Sequence, residues 1–159
     1  MKKFLILGVL AVSGWLVSCE EEEVPGFVQQ DYLKGDWLTK QVGELVPFNN
    51  GTTTVQIVEY TDVVNDPACN EDNFILNADG TFALNDYENV SGTCENDAIS
   101  GTYTRTDNRI YLNYMDGATE RLIIMNISVL TYTELHASYT MPGTSDLVFV
   151  KFAKHETAN

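Results

Sequence analysis

The sequence predicts an all-β domain, an antiparallel up-and-down barrel of about eight strands, with a two-sheet β-sandwich as the alternative architecture. Three observations carry this expectation. Short runs of β-forming residues are split by turn residues, and no apolar helical stripe persists beyond about two turns. Nearly every connection after Asn73 is of hairpin length. Apolar residues recur two apart along most runs, which gives each strand one face for a core. Strands of this kind close economically into a barrel, which leaves no exposed edge, or pack as two sheets face to face.

The expected strands follow in order along the chain. Asp36 to Glu44 and Thr53 to Glu59 come first, the second as a strand or an edge segment. Asn73 to Leu76 and Thr81 to Asn85 flank Asn77-Ala78-Asp79-Gly80, where Asp-Gly supplies the positive φ that a tight hairpin needs. Ile99 to Thr106 and Arg109 to Tyr114 flank Asp107-Asn108, a second tight turn. Arg121 to Leu130, Tyr132 to Thr140 and Asp146 to Ala153 complete the set. Alternation directs Phe82, Leu84, Ile99, Tyr103, Ile110, Leu112 and Tyr114 to one face. It directs Ile123, Met125, Ile127, Val129, Leu135, Ala137, Tyr139, Val148, Val150 and Phe152 to the same side, with Asn126, Ser128, His136 and Lys151 opposite.

Before the domain lies a different kind of sequence. Met1-Lys2-Lys3 followed by the apolar run Phe4 to Val17 has the layout of a secretory signal, with an uncleaved membrane helix as the alternative. The run is shorter than the roughly 20 apolar residues that span a bilayer. Leu16-Val17-Ser18-Cys19 resembles a bacterial lipobox. The resemblance implies diacylation of Cys19, cleavage before it and acylation of the new amino terminus, which together make a stable anchor. Glu20 to Glu23 follow at once and resemble an acidic surface-export signal of Gram-negative lipoproteins, the alternative being a solvated tether. The expected organisation is therefore a signal peptide at 1–18, a lipidated acidic tether at 19–32, a barrel domain at 33–154 and a tail at 155–159. The expected location is the outer membrane, exposed at the surface, with a periplasm-facing orientation as the alternative.

Charge narrows the partners. The formal net charge is -14, and removing 1–18 deletes Lys2 and Lys3 and no acid, which gives -16. Phosphate binding needs a basic stripe, so nucleic acid is excluded as a partner. With Cys19 assigned to lipid, Cys69 and Cys94 remain as a pair, and an oxidising compartment favours a disulfide between them. The rival, a two-thiolate metal site, lacks nearby histidine or further cysteine.

Leu33-Lys34-Gly35-Asp36-Trp37 holds a Gly-x-Trp, followed by Cys69 ahead of Asn73-Phe74, by Asp79-Gly80-Thr81-Phe82, by Cys94 and by Gly101-Thr102-Tyr103. This ordered set resembles the lipocalin-like domains of bacterial surface lipoproteins, over about Leu33 to Lys154. In the lipocalin family an arginine near the last strand often packs on this tryptophan; here Lys151 or Lys154 is the only basic candidate, a departure from that pattern. Physically, Gly35 lets the chain turn into the first strand and Trp37 plugs one end of the barrel.

No motif for catalysis is present: His136 and His155 are the only histidines, and neither a Gly-x-Ser-x-Gly nor a His-Glu-x-x-His occurs. Neither an enzyme nor a cofactor is expected. Glu71, Asp72, Asp86 and Glu88 form an acidic rim around the cysteine loops, with weak calcium binding as the alternative, since no Asp-x-Asp-x-Asp-Gly loop occurs. Two functions remain. One is a barrel holding a small apolar or amphiphilic ligand, lined by Tyr103, Tyr114 and Tyr139, with Thr39, Gln41 and Asp86 as inward polar groups. The other is a filled barrel that presents its loops to a protein or glycan partner.

Overall fold

The computed structural model describes residues 31–155, which form nine strands and no helix. The signal segment, Cys19 and the Glu20 to Glu23 run lie outside the described residues, as does most of the tail. The strands are β1 (Gly35–Asn49), β2 (Thr54–Asp62), β3 (Asn73–Leu76), β4 (Thr81–Val90), β5 (Thr93–Thr106), β6 (Arg109–Asp116), β7 (Thr119–Leu130), β8 (Glu134–Thr140) and β9 (Leu147–Lys154). All pairings are antiparallel, β3 to β9 follow one another around the sheet, and β1 pairs with both β3 and β9. The ring thus closes through eight strands, and a barrel, not a sandwich, is the outcome. β2 is the ninth, and among the described residues it pairs with β1 alone.

β2 and β3 occupy successive stretches of the same edge of β1. Asp62 of β2 pairs with Gln41, and β3 resumes with Asn73 against Leu38. Between them Val63 to Asp72 leaves the sheet as an excursion whose ends are fixed on β1. Val63 N–H donates to the Lys40 carbonyl at 2.9 Å, and Thr39 N–H donates to that of Asp72 at 2.9 Å. Cys69 in this excursion is bonded to Cys94 of β5, with Cα atoms 5.5 Å apart. The excursion also caps the upper part of β4, where Asp72 accepts from Tyr87 N–H at 2.7 Å and Asp66 from the Asn89 amide at 2.9 Å.

The core fills one end of the ring. Trp37, Phe74, Leu76, Phe82, Ile110, Leu112 and Leu135 are buried, and Phe74 packs on the rings of Phe82 and Phe152. Trp37 is the keystone here. Its indole N–H donates to the Leu33 carbonyl at 2.7 Å, and the Lys154 ammonium lies 4.2 Å from its ring centroid. Lys154 also donates to the carbonyls of Tyr32, at 3.1 Å, and Lys34. Burial pulls the Lys154 ammonium below its ordinary pKa, while Asp31 and Asp36 act to raise it. Gly35 has φ +131, and a Cβ there would come within 2.6 Å of the Lys154 ammonium, so glycine is required at this crossing. Of the two basic residues on the last strand, Lys154 covers the tryptophan. Lys151 instead bonds Gln41 at 2.9 Å and stands over the Tyr60 ring.

Several local expectations are corrected. β1 and the β4–β5 hairpin run longer than their apolar cores suggest, so Cys94, Asp86 and Glu88 sit on strands, while Glu71 and Asp72 stay in the excursion. A bulge between Thr39 and Gln41 shifts the register against β9. It turns Gln41 outward to Lys151 and to Asp62, while Val42 takes the inward position opposite Val150. A second bulge between Ile127 and Val129 pairs Val129 with the outward His136 and lets Leu130 join the core. His155, expected in the tail, is held: its backbone donates to Asp36 at 2.8 Å and its Nδ1 lies 2.9 Å from the Asp36 carboxylate.

Trp37→Ala is expected to lower stability by about 3–5 kcal/mol in urea titrations, because no neighbour can refill the plug. Lys154→Ala should cost about 1–2 kcal/mol through the two carbonyls it leaves. Cys94→Ser should cost about 2–4 kcal/mol and accelerate amide exchange at Tyr87, whose carboxylate partner belongs to the released excursion.

Candidate functional site at the open end of the barrel

Burial of the inward face changes along the barrel axis. At the Trp37 end the inward side chains other than Thr39 and Tyr103 are buried, whereas Leu84, Ile99, Tyr114, Tyr139 and Val148 are half-buried. The barrel is filled at one end and accessible at the other. The open end is bordered by the β1–β2, β4–β5, β6–β7 and β8–β9 turns.

Strand parity explains which polar groups enter. Asp86 follows Leu84 by two residues on β4 and pairs with Asp97, itself two residues before Ile99 on β5. Burial raises the Asp86 carboxyl above its ordinary pKa, and the charges of Asp72, Asp97 and Glu88 add to the rise. Tyr139 of β8 is also raised, first by burial and then by the charge of Asp86. The charge of Asp86 on β4 thus reaches the phenol of Tyr139 on β8. Glu88 pairs with Glu95 and Glu44 with Glu59, so the rim carries three cross-strand pairs of like charge. Arg121, on β7 just after the β6–β7 turn, is engaged with Asp116 at 3.4 Å.

The three tyrosines expected to line a ligand fall in two places. Tyr139 and Tyr114 are half-buried on the inward side and pack against the core. Tyr103 belongs to the closed end: its hydroxyl donates to the Asn77 carbonyl at 2.9 Å and its backbone N–H to Gly80 at 2.7 Å, so it secures the β3–β4 turn. Burial raises its phenol, with Asp31 and Asp79 contributing. Thr39 stays on the face of Trp37, paired with Phe152. The upper apolar lining at Leu84 and Ile99 was legible as core, and its accessibility was not, because alternation reports a face and not a depth.

Catalytic and metal chemistry find no assembled group among the described residues. His136 lies 3.9 Å from Glu134 on the outer wall, and His155 serves Asp36. No group of three or more metal-ligating side chains comes together among the described residues. A separate groove of about 520 Å³ lies on the outer wall, between Arg109, Leu122 and Ile124 and the Met141 to Thr144 turn, and shares no residue with the lumen.

Asp86→Asn is expected to stabilise the fold by about 0.5 kcal/mol at neutral pH, after allowance for solvent screening. Because the folded-state pKa is raised, stability falls as pH climbs from the ordinary aspartate range, near ~4, through the higher folded value. The advantage of the variant should therefore vanish on acidification below that range in pH-dependent urea melts.

Comparison with known proteins follows the same lines. The family model for a lipocalin-like domain matches residues 33–137. No curated protein sequence matches the chain. Bovine odorant binding protein, complexed with its natural ligand, is similar at 15% identity and TM-score 0.43, covering 86% of this chain and 80% of that one. Its complex with undecanal is similar at 16% identity and TM-score 0.41, covering 87% and 80%. The family match begins at Leu33 beneath the Trp37 plug and reaches Ala137 in β8, so it spans most of the closed ring: the chain belongs to the lipocalin-like domain family.

Proposed function

We propose that this chain is a membrane-anchored bacterial lipoprotein whose barrel binds a small apolar or amphiphilic ligand at the open end, without catalysing a reaction. The observation that carries the binding half is the gradient of burial: a solid aromatic floor beneath an accessible wall of Leu84, Ile99, Tyr114, Tyr139 and Val148. Such a wall, mostly apolar with a few convergent polar groups, suits a guest with an apolar body and a polar end. The phenol of Tyr139 and the carboxyl of Asp86 are the groups that would orient that end. The anchor rests on the sequence at Cys19, and the surface location on the glutamates that follow it.

Native mass spectrometry of the full chain, released from detergent, tests the ligand directly. A small molecule that co-purifies and is lost on denaturation supports the reading and gives the ligand's mass. With the neutral fluorophore N-phenyl-1-naphthylamine as probe, Ile99→Arg should weaken binding at least tenfold, whereas Leu122→Arg on the outer wall should leave it unchanged. Equal effects of the two substitutions, or no saturable binding at all, would remove the lumen as the site. For the anchor, Cys19→Ala should shift the protein from the membrane to the soluble fraction, and continued membrane partition after signal cleavage would refute lipidation at Cys19.

A further inference from the structure

We propose that the outer edge of β2 is a docking slot for an extended, basic segment of a partner polypeptide, which joins the sheet there as an additional antiparallel strand.

In an antiparallel ladder every second residue of an edge strand turns its N–H and C=O away from its neighbour. Two bonds set the phase on β2. Val63 N–H donates to the Lys40 carbonyl at 2.9 Å, and Asn50 N–H donates to the Thr53 carbonyl at 3.2 Å. The pairing between β1 and β2 runs from Asn49 with Thr54 to Gln41 with Asp62 without a register shift. Val55, Ile57, Glu59 and Thr61 therefore bond to β1, and Gln56, Val58 and Tyr60 direct their backbone groups to the free side. No described residue accepts from or donates to those groups.

Neighbouring edges are blunted by proline or by capping, whereas the edge-protecting feature of β2 is the inward charge of Glu59. β1 runs on past its last β9 pairing at Gly43, and Pro47 interrupts that free stretch by removing an N–H. The upper part of β4 is capped by Asp72 and Asp66 of the excursion. β2 is 9 residues long, TVQIVEYTD, and contains none of the proline, lysine or bulge devices that keep edges from pairing. It is also packed onto its neighbours: the Tyr60 ring lies over Gly43, where a Cβ would come within 2.9 Å of it, and Lys151 stands 3.7 Å from the ring centroid. An exposed sheet edge is the template used in strand addition.

Side chains specify the partner. On the inward face Val55 and Ile57 are 45% and 41% exposed, and Glu59 stands opposite Glu44 with no described cation on either. Asp62 lies at the far end of the strand. A complementary strand therefore has apolar residues against Val55 and Ile57, and Lys or Arg against Glu59 and Asp62. A second copy of this chain does not fit, because β2 has acids and no base, and each chain carries a formal charge of -14.

The probe is the blocked nonapeptide Lys-Thr-Thr-Lys-Val-Val-Thr-Val-Thr, whose order places its lysines against Asp62 and Glu59 in antiparallel register. It is titrated into the isotope-labelled full chain in detergent micelles while amide hydrogen exchange is followed residue by residue. Exchange at Gln56, Val58 and Tyr60 is expected to slow at least tenfold at saturation. A peptide with glutamate in place of both lysines should bind at least tenfold more weakly. Val58→Pro removes one outward N–H and leaves the ladder to β1 intact, and it should abolish the protection; Gln56→Pro, at an exposed position opposite Pro47, makes the same test should Val58→Pro fail to fold. Absence of slowing on β2 at millimolar peptide, equal binding by the glutamate peptide, or protection confined to Leu84 and Ile99 would overturn the proposal. The last of these outcomes would leave the lumen reading standing.

Discussion

Everything in this barrel depends on β1 being joined to β9 at the Trp37 end. A meander of strands is an open sheet until its first and last members pair, and an open sheet has two sticky edges. Here the joint is a backbone ladder from Trp37 with Lys154 to Gly43 with Phe149, and one cation fastens its lower end: Lys154 covers the Trp37 ring and donates to carbonyls of the segment leading into β1. Gly35 is what allows the lysine to pass, since any side chain there would occupy its place. His155 and Asp36 add a second fastening one residue beyond. Closure of the ring and plugging of the floor thus share the same residues, and the aromatic core packs above them.

This sealing has a counterpart at the opposite end. Because the floor is filled by Trp37 and the three phenylalanines around it, the wall above is free to depart from ideal packing. It does so with inward carboxylates and phenols and with three like-charge pairs around the rim. Residues that weaken the sheet locally are tolerated where the closed end supplies stability in excess, the usual division between scaffold and site.

The alternation of apolar residues made the ring legible in the sequence, because a half-buried strand leaves a period of two whatever its neighbours. Asp79-Gly80 and Asp107-Asn108 marked their hairpins through backbone conformation, and Asp107 indeed takes a positive φ of 53. What the sequence concealed were the two bulges, since a one-residue slip at Thr39–Gln41 or Ile127–Val129 leaves composition unchanged while reversing every later side chain. The depth of the site was hidden for a different reason. Tyr103 and Tyr139 share a face and a chemistry, and only the tertiary path decides that one hydroxyl meets the Asn77 carbonyl while the other ring lies half-buried toward the open end.

The Val63 to Asp72 excursion divides one line of pairing without disturbing the ring, because β3 resumes on the same edge of β1 that β2 has just left. Its length is therefore decoupled from the register of every other strand. Insertions and deletions there leave barrel diameter, strand tilt and floor unaltered, so divergence among relatives should concentrate in this segment. Protein engineers have in it a natural graft point, with its two ends pinned on β1 and its middle cross-linked to β5.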